Sequence, residues 1–189
     1  MGETRTAAAG GLRLVYIGQI LFLASVVLAC LTALGPVAVI LYAAMDAAGL
    51  GLTAVGLGSA GKADGGYRTA LFFTLGVLAC DILAVITGSW IYLLLRSISV
   101  VLAYMAMAYV CDTTVRLCRG ERSLAALEES ARKLYLGCTA IAVLCQGLTL
   151  VNALSGMGGL MNLTSRFVQA ASTVYYLYFL AAGRRELAR

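Results

Sequence analysis

Long apolar stretches separated by short breaks are the feature that most constrains this chain. Residues 12–59 form one such stretch, which is too long for one membrane-spanning helix of roughly 20 residues, and Gly35-Pro36 divides it. Of the 189 residues, 61% are hydrophobic and 12% charged. A soluble domain of this size has too little interior for them, because even a domain of roughly 150 residues leaves about 30% of its surface exposed. The sequence therefore predicts an integral membrane protein.

Polar or small residues divide the rest of the chain at residues 61–66, 87–89 and 155–159. The apolar stretches between these breaks are long enough for helices that cross a hydrocarbon core of about 30 Å. The predicted fold class is all-α: a polytopic integral membrane protein with six transmembrane helices, arranged as three in-out-in hairpins in a single domain. The predicted spans cover residues 12–34, 36–59, 69–87, 89–111, 134–154 and 160–182.

Residues 112–133 are predicted to be a cytoplasmic linker, since they carry five basic and four acidic residues. Ser123 is a suitable N-cap, and Glu128 precedes Arg132 by four residues, in the order that stabilises a helix. We therefore expect a short helix that rests on the membrane surface and runs into the fifth span. It has two interpretations, a structural link between the second and third hairpins or a docking site for a partner protein.

Basic residues indicate the orientation of the chain. Of the 14 Lys and Arg residues, all except Arg96 and Arg166 fall on the side that holds both chain ends. The opposite turns, near Gly35, Gly88 and Gly156, carry no charge. Because positively charged loops remain in the cytoplasm, we predict a plasma-membrane protein with both termini cytoplasmic. The net charge of +5 is then explained by basic residues that contact anionic lipid headgroups, and no nucleic-acid partner is expected.

A weak repeat accompanies this threading. The predicted hairpins begin with a basic residue close to a tyrosine, as in Arg13 with Tyr16 and Arg68 with Tyr67. One interpretation is a threefold duplication of a hairpin around a central path, as repeats often form in transporters. The other is that these residues are ordinary anchors at the membrane interface.

The chain contains no histidine. This excludes Ser-His and Cys-His nucleophiles and the histidine-ligated metal sites of most familiar intramembrane enzymes. The six cysteines include no CxxC pair, so we predict neither a metal site nor a cofactor. We therefore expect a protein that is not an enzyme.

Four ionisable residues lie within predicted spans: Asp46, Asp81, Arg96 and Arg166. Each costs about 2.5–3.5 kcal/mol at a helix centre unless it is paired or hydrated. Asp81, Arg96 and Arg166 each lie about seven residues from an outer turn, which is a depth of about 10 Å. Asp81 and Arg96 are therefore expected to meet across the second hairpin, with Asp46 nearer the middle of the membrane.

Polar residues recur along the sixth predicted helix at steps of four and three, so they share one face that would not point at lipid. This stripe and the intramembrane charges predict a solute- or ion-binding site that comprises Asp46, Asp81, Arg96, Asn162, Arg166, Gln169, Thr173 and Tyr176.

Two of these residues have predicted roles. Arg166 is the predicted anion ligand, because its planar guanidinium pairs a carboxylate or phosphate through two bonds. Asp46 is the predicted coupling site for a proton or cation. The structural interpretation is that Asp81 pairs with Arg96 and Asp46 with Arg166, so that neutral pairs hold the hairpins together.

The second helix carries small residues four apart, at Ala47 and Gly51 and at Ala54 and Gly58. Such pairs favour close helix packing, either within the chain or between subunits.

Together these features predict a membrane transport protein, namely a channel, a carrier or the solute-binding membrane subunit of a larger transporter. Its expected partners are the lipid bilayer, a small polar or anionic solute, and further copies of the chain or a larger membrane complex. The chain has no phosphate-cradling loop, so uphill transport would need a gradient or a separate ATPase. The alternative is a non-transporting assembly or sensor subunit whose intramembrane charges are structural.

Overall fold

The computed structural model describes residues 2–30, 36–87, 89–118, 121–150 and 158–188. It contains six helices: α1 (Gly2–Cys30), α2 (Pro36–Ala60), α3 (Gly65–Ile86), α4 (Ser89–Leu117), α5 (Arg122–Leu150) and α6 (Gly158–Ala188). The prediction of an all-α fold with six helices is confirmed. The predicted outer turns near Gly35, Gly88 and Gly156 lie outside the described residues, as does part of the α4–α5 connection.

Local sequence explains where two of the helices begin. α2 begins at Pro36, whose fixed φ and missing N–H suit the first turn of a helix. Asp64 caps α3, because its extended backbone lets Oδ1 accept a hydrogen bond of 2.7 Å from the N–H of Gly66. α3 therefore begins at Gly65, before the predicted span at residue 69.

The predicted linker at residues 112–133 belongs largely to two long helices. α4 continues to Leu117, and α5 already begins at Arg122. Two ion pairs along α5 join Glu128 to Arg132 at 3.6 Å and Glu129 to Lys133 at 2.6 Å. Because pairs four residues apart stabilise a polar turn of helix, the helix expected here is continuous with the fifth predicted span.

The six helices form a closed ring. Each helix contacts the next one along the chain, and α6 contacts α1. The contacts are most extensive within the three hairpins α1/α2, α3/α4 and α5/α6. Successive helices therefore alternate in direction around a common centre.

Glycine permits the closest approach, which lies between α1 and α2. A Cβ atom on Gly11 would lie 2.5 Å from the carbonyl oxygen of Gly56, and one on Gly56 would lie 2.6 Å from that of Gly11. Gly18 and Gly49 form a second reciprocal pair, with corresponding distances of 2.5 and 2.8 Å. Such distances leave no room for a Cβ atom, so only glycine fits at these four positions.

The close contact does not use the residues four apart that the sequence suggested. Among the described residues, a Cβ atom on Gly51 would meet nothing within 4 Å, and one on Gly58 would meet only a methyl group of Leu71 at 3.9 Å. Within the chain, α2 therefore packs through Gly49 and Gly56, which are seven residues apart.

One end of the ring is tightly packed. This terminus end holds the start of α1, the end of α6, and the α2–α3 and α4–α5 connections. Its core takes at least one buried side chain from each helix, including Leu12, Leu57, Tyr67, Val110, Leu124 and Phe179. The Tyr67 hydroxyl hydrogen-bonds to the Thr114 hydroxyl at 2.9 Å, and Arg5 donates to the carbonyl oxygen of Leu117 at 3.2 Å.

Within the described residues, four helical segments are long and apolar enough to cross a membrane: Arg5–Leu28, Ile40–Ala60, Gly65–Ile86 and Ile91–Leu117. The described parts of α5 and α6 are not among these four segments; α5 begins with charged turns, and α6 carries polar residues along its length. Even so, both expose apolar side chains, for example Leu144 at 65% and Tyr178 at 62%. The structure is thus a helical bundle with several candidate transmembrane helices.

Candidate functional site

The ring encloses an elongated cavity of about 100 Å³ to which all six helices contribute side chains. Its lining along α4 runs from Arg96 to Val110, which is about 21 Å at 1.5 Å per residue. Its polar and ionisable lining residues are Gln19, Asp46, Thr53, Thr74, Asp81, Arg96, Ser99, Tyr135, Cys138, Thr139, Gln169, Ser172 and Tyr176. The cavity has room for several water molecules or a small solute.

An ion pair lies in the part of the cavity distant from the terminus end. Nη1 of Arg96 on α4 donates to Oδ1 of Asp81 on α3 at 2.8 Å. The Ser99 hydroxyl donates to the same oxygen at 3.0 Å. The side chains of Arg96 and Asp81 are 23% and 19% exposed. The two charges thus meet across the second hairpin, as their equal distances from the turn predicted.

Asp46 lines the cavity from α2. The Ser25 hydroxyl of α1 donates to its Oδ1 at 3.4 Å. About two helical turns along α2 from Asp46, Thr53 lines the same cavity and accepts a hydrogen bond of 3.5 Å from the amide of Gln19. α2 therefore divides its inner surface between glycines that pack on α1 and polar residues that face the cavity.

The polar stripe of α6 is divided between the cavity and the helix contacts. Gln169 and Tyr176 line the cavity. Thr173 is fully buried, is not among the lining residues, and donates to the carbonyl oxygen of Gln169 at 2.9 Å. The side chains of Asn162 and Arg166 lie outside the described part of the structure, and so does the proposed pairing of Arg166 with Asp46.

Eight of the 13 polar and ionisable lining residues were not among the predicted site residues, and Ser172 and Thr139 are two of them. Ser172 lines the cavity where Thr173 was expected. It lies three residues after Gln169 and four before Tyr176, so the helical period fits it as well as its neighbour. Thr139 on α5 also lines the cavity, and its buried hydroxyl has no hydrogen-bond partner among the described residues.

The cavity ends against the core of the terminus end. Leu57, Val110 and Tyr176 contribute both to the lining and to that core. Met107 of α4 does the same, and its sulfur contacts the buried Cys111 thiol at 3.4 Å. The enclosed space thus has a charged part distant from the terminus end and an apolar base beside it.

Comparisons with protein-family models, with curated proteins and with solved structures found no match.

Proposed function

We propose that this chain is a membrane transport protein that binds a small polar or charged solute inside a ring of six transmembrane helices. The observation that carries the proposal is the closed ring itself, because all six helices contribute to one cavity and polar groups concentrate there. Charged residues inside an apolar bundle mark solute pathways more often than not. The apolar exterior is suited to lipid.

The proposal treats α5 and α6 as membrane spans too. Both face the cavity on one side, and both carry exposed apolar side chains on the other. A helix that lines a polar cavity has a lower mean hydropathy than one surrounded by lipid. Four apolar spans and two amphipathic ones therefore complete three in-out-in hairpins.

In this arrangement the terminus end faces the cytoplasm of a cell whose plasma membrane holds the protein. That end carries most of the basic residues, which the positive-inside rule assigns to the cytoplasm. The solute enters from the opposite side, meets the ion pair of Asp81 and Arg96, and is held above the packed core. Arg166 is proposed as a further anion ligand, and Asp46 as the coupling site for a proton or cation.

One observation favours the second candidate, an assembly or sensor subunit. Asp81 and Arg96 compensate each other's charge, which is what a purely structural pair would do. Transport and a structural role make different predictions about the cavity, because only transport needs the space to be free.

Flux through reconstituted liposomes tests the proposal. The panel comprises L-valine, isobutylamine and isovalerate, so that it contains a zwitterion, a cation and an anion of similar size. Ala103→Trp places an indole in the cavity, whereas Val101→Trp, on the same helix, changes a side chain that is 44% exposed on the outside. We expect flux of at least one solute above protein-free liposomes, loss with Ala103→Trp, and retention with Val101→Trp.

Size-exclusion profiles and thermal unfolding in detergent check that both variants fold. Flux no faster than in protein-free liposomes, or equal flux from two folded variants, contradicts transport through this cavity.

A further inference from the structure

Both members of the ion pair retain unused hydrogen-bonding groups. Oδ1 of Asp81 accepts from Arg96 and from Ser99. Nothing among the described residues donates to Oδ2 of Asp81. Arg96 donates to Asp81 through Nη1, and its Nε and Nη2 groups have no acceptor among the described residues. A guanidinium carries five N–H donors, so most of its capacity is unused.

Both side chains lie at the cavity. Asp81 and Arg96 both line the cavity, and neither side chain is fully buried. An accepting carboxylate oxygen and donating N–H groups therefore lie side by side at one level of the ring. Polar groups in such surroundings require a hydrogen-bond partner.

The sign of the charges restricts what binds there. A cation attracted to Asp81 is repelled by Arg96, and an anion attracted to Arg96 is repelled by Asp81. Because Coulomb energy falls with distance, the repulsion from the more distant partner offsets part of the attraction. A solute that carries both charges gains both attractions, and it brings no net charge into the membrane.

We propose that the solute is a zwitterion of the α-amino-acid type. Its ammonium group binds Oδ2 of Asp81, and its carboxylate binds the free Nε and Nη2 groups of Arg96. The inference rests on the proposed transport function and specifies the chemical class of its solute. The original ion pair stays intact, because the solute uses only the groups that the pair leaves unused.

The cavity also limits the size of the side chain that the solute carries. Val77, Val100 and Ala103 line it near the ion pair, and its volume is about 100 Å³. An apolar cavity of about 150 Å³ accommodates benzene, so a small aliphatic side chain fits and a large aromatic one does not. L-valine is accordingly a suitable probe.

Binding to the purified protein in lipid nanodiscs tests the proposal with the three solutes used for flux. Isobutylamine is valine without its carboxylate, and isovalerate is valine without its ammonium group. We expect L-valine to bind at least about tenfold more tightly than either. Equal or tighter binding of isobutylamine or isovalerate overturns the zwitterion and assigns a cation or an anion instead.

Variants of the pair provide a readout that a merely structural role would not change. Arg96→Gln leaves the carboxylate and is expected to shift the preference toward isobutylamine. Asp81→Asn leaves the guanidinium and is expected to shift it toward isovalerate. The double variant with Arg96→Gln and Asp81→Asn leaves no unpaired charge, so it is expected to fold even if a single variant does not. It is also expected to lose the preference for valine. A folded variant with unchanged preference overturns the assignment of these residues.

Arg116→Gln is the matched control, because Arg116 pairs with Asp64 at 2.8 Å outside the cavity. It is expected to leave all three affinities unchanged, and a change equal to that of Arg96→Gln overturns the proposal. If L-valine does not bind but another solute shows flux that Ala103→Trp removes, the zwitterion is wrong and transport stands. If no solute shows such flux, the transport function itself fails.

Discussion

Asp81 and Arg96 show how charged side chains are accommodated in a ring of apolar helices. Each would cost about 2.5–3.5 kcal/mol alone at the centre of a membrane. The short separation of 2.8 Å offsets much of that cost, and Ser99 adds a third polar group. The pair therefore lowers the cost of charge while it leaves hydrogen-bonding groups free to meet a solute.

Two neighbouring glutamates of α5, outside the apolar spans, are expected to respond to pH with opposite signs. Burial is the main cause that raises the pKa of Glu128 above its ordinary value of 4.5, and it outweighs the attraction of Arg132. The hydrogen bond from Lys133 lowers the pKa of Glu129. Ionisation of Glu128 therefore lowers the stability of the folded protein as pH rises. The stability that ionised Glu129 contributes is lost as pH falls below 4.5, the ordinary pKa of a glutamate.

Glu128→Gln is thus expected to raise the unfolding temperature at pH 7, and Glu129→Gln to lower it slightly. Both differences should shrink near pH 4, where the unfolded chain binds protons as well. Thermal unfolding in detergent, followed by circular dichroism at the two pH values, measures this. Shifts of the same sign for both variants at pH 7 would contradict the assignment.

For single residues, the sequence predicted which charges pair better than it predicted which side chains face the cavity. The meeting of Asp81 with Arg96 followed from their distances to a common turn, because a hairpin brings equal depths together. The choice between Ser172 and Thr173 did not follow. The two differ by 100° on the helix, and only the packing of α6 against its neighbours decides which one faces the cavity.

Among the helices, α1 and α2 have the closest packing, through the glycine pairs 11/56 and 18/49. Where hydrophobic driving force between helices is absent, such contact between backbones supplies much of the association. The first hairpin is therefore expected to be the part of the ring most sensitive to small increases in side-chain size.

Alanine substitutions test this. Gly11→Ala and Gly56→Ala each place a Cβ atom against a backbone carbonyl, and we expect each to destabilise the protein by about 1–3 kcal/mol. Gly10 and Gly51 are matched controls on the same helices, since a Cβ atom there meets nothing within 4 Å in the part of the chain that the structure describes. Alanine at the control positions is expected to be neutral or to stabilise by up to about 1 kcal/mol.

Thermal unfolding of the four purified variants measures the difference. Equal stability of Gly10→Ala and Gly11→Ala would show that α1 and α2 do not pack as described.

Element boundaries were less predictable than the elements themselves. The apolar stretches gave six helices, but the helices continue beyond them wherever polar residues keep helical hydrogen bonding. Because Asp64 caps α3, this helix begins earlier in the chain than predicted. The ion pairs of Glu128 and Glu129 extend α5 toward the N-terminus, into the segment expected to be a linker. Hydropathy marks what lies in lipid, whereas caps and side-chain pairs determine where a helix ends.

At the scale of the whole molecule, the contact of α6 with α1 closes the ring and creates the enclosed space. Helical periodicity identifies the inner face of each helix, but it does not specify which helices become neighbours. Three helical hairpins surround one cavity, and both interpretations of the hairpin pattern, a threefold duplication or ordinary interface anchors, stay predictions. The packed terminus end and the charged opposite part give that cavity two different ends.

The proposed transport role requires that water reaches the polar cavity inside the ring, and the reactivity of single cysteines measures this. In a background without the six native cysteines, Gln169→Cys and Ala103→Cys face the cavity, and Phe167→Cys and Val101→Cys face outward. Intact cells or oriented proteoliposomes are treated from outside with a small, membrane-impermeant thiol reagent. We expect the two cavity positions to react and the two outward positions to remain unlabelled. Reaction at the outward positions alone, or at none of the four, would contradict this expectation.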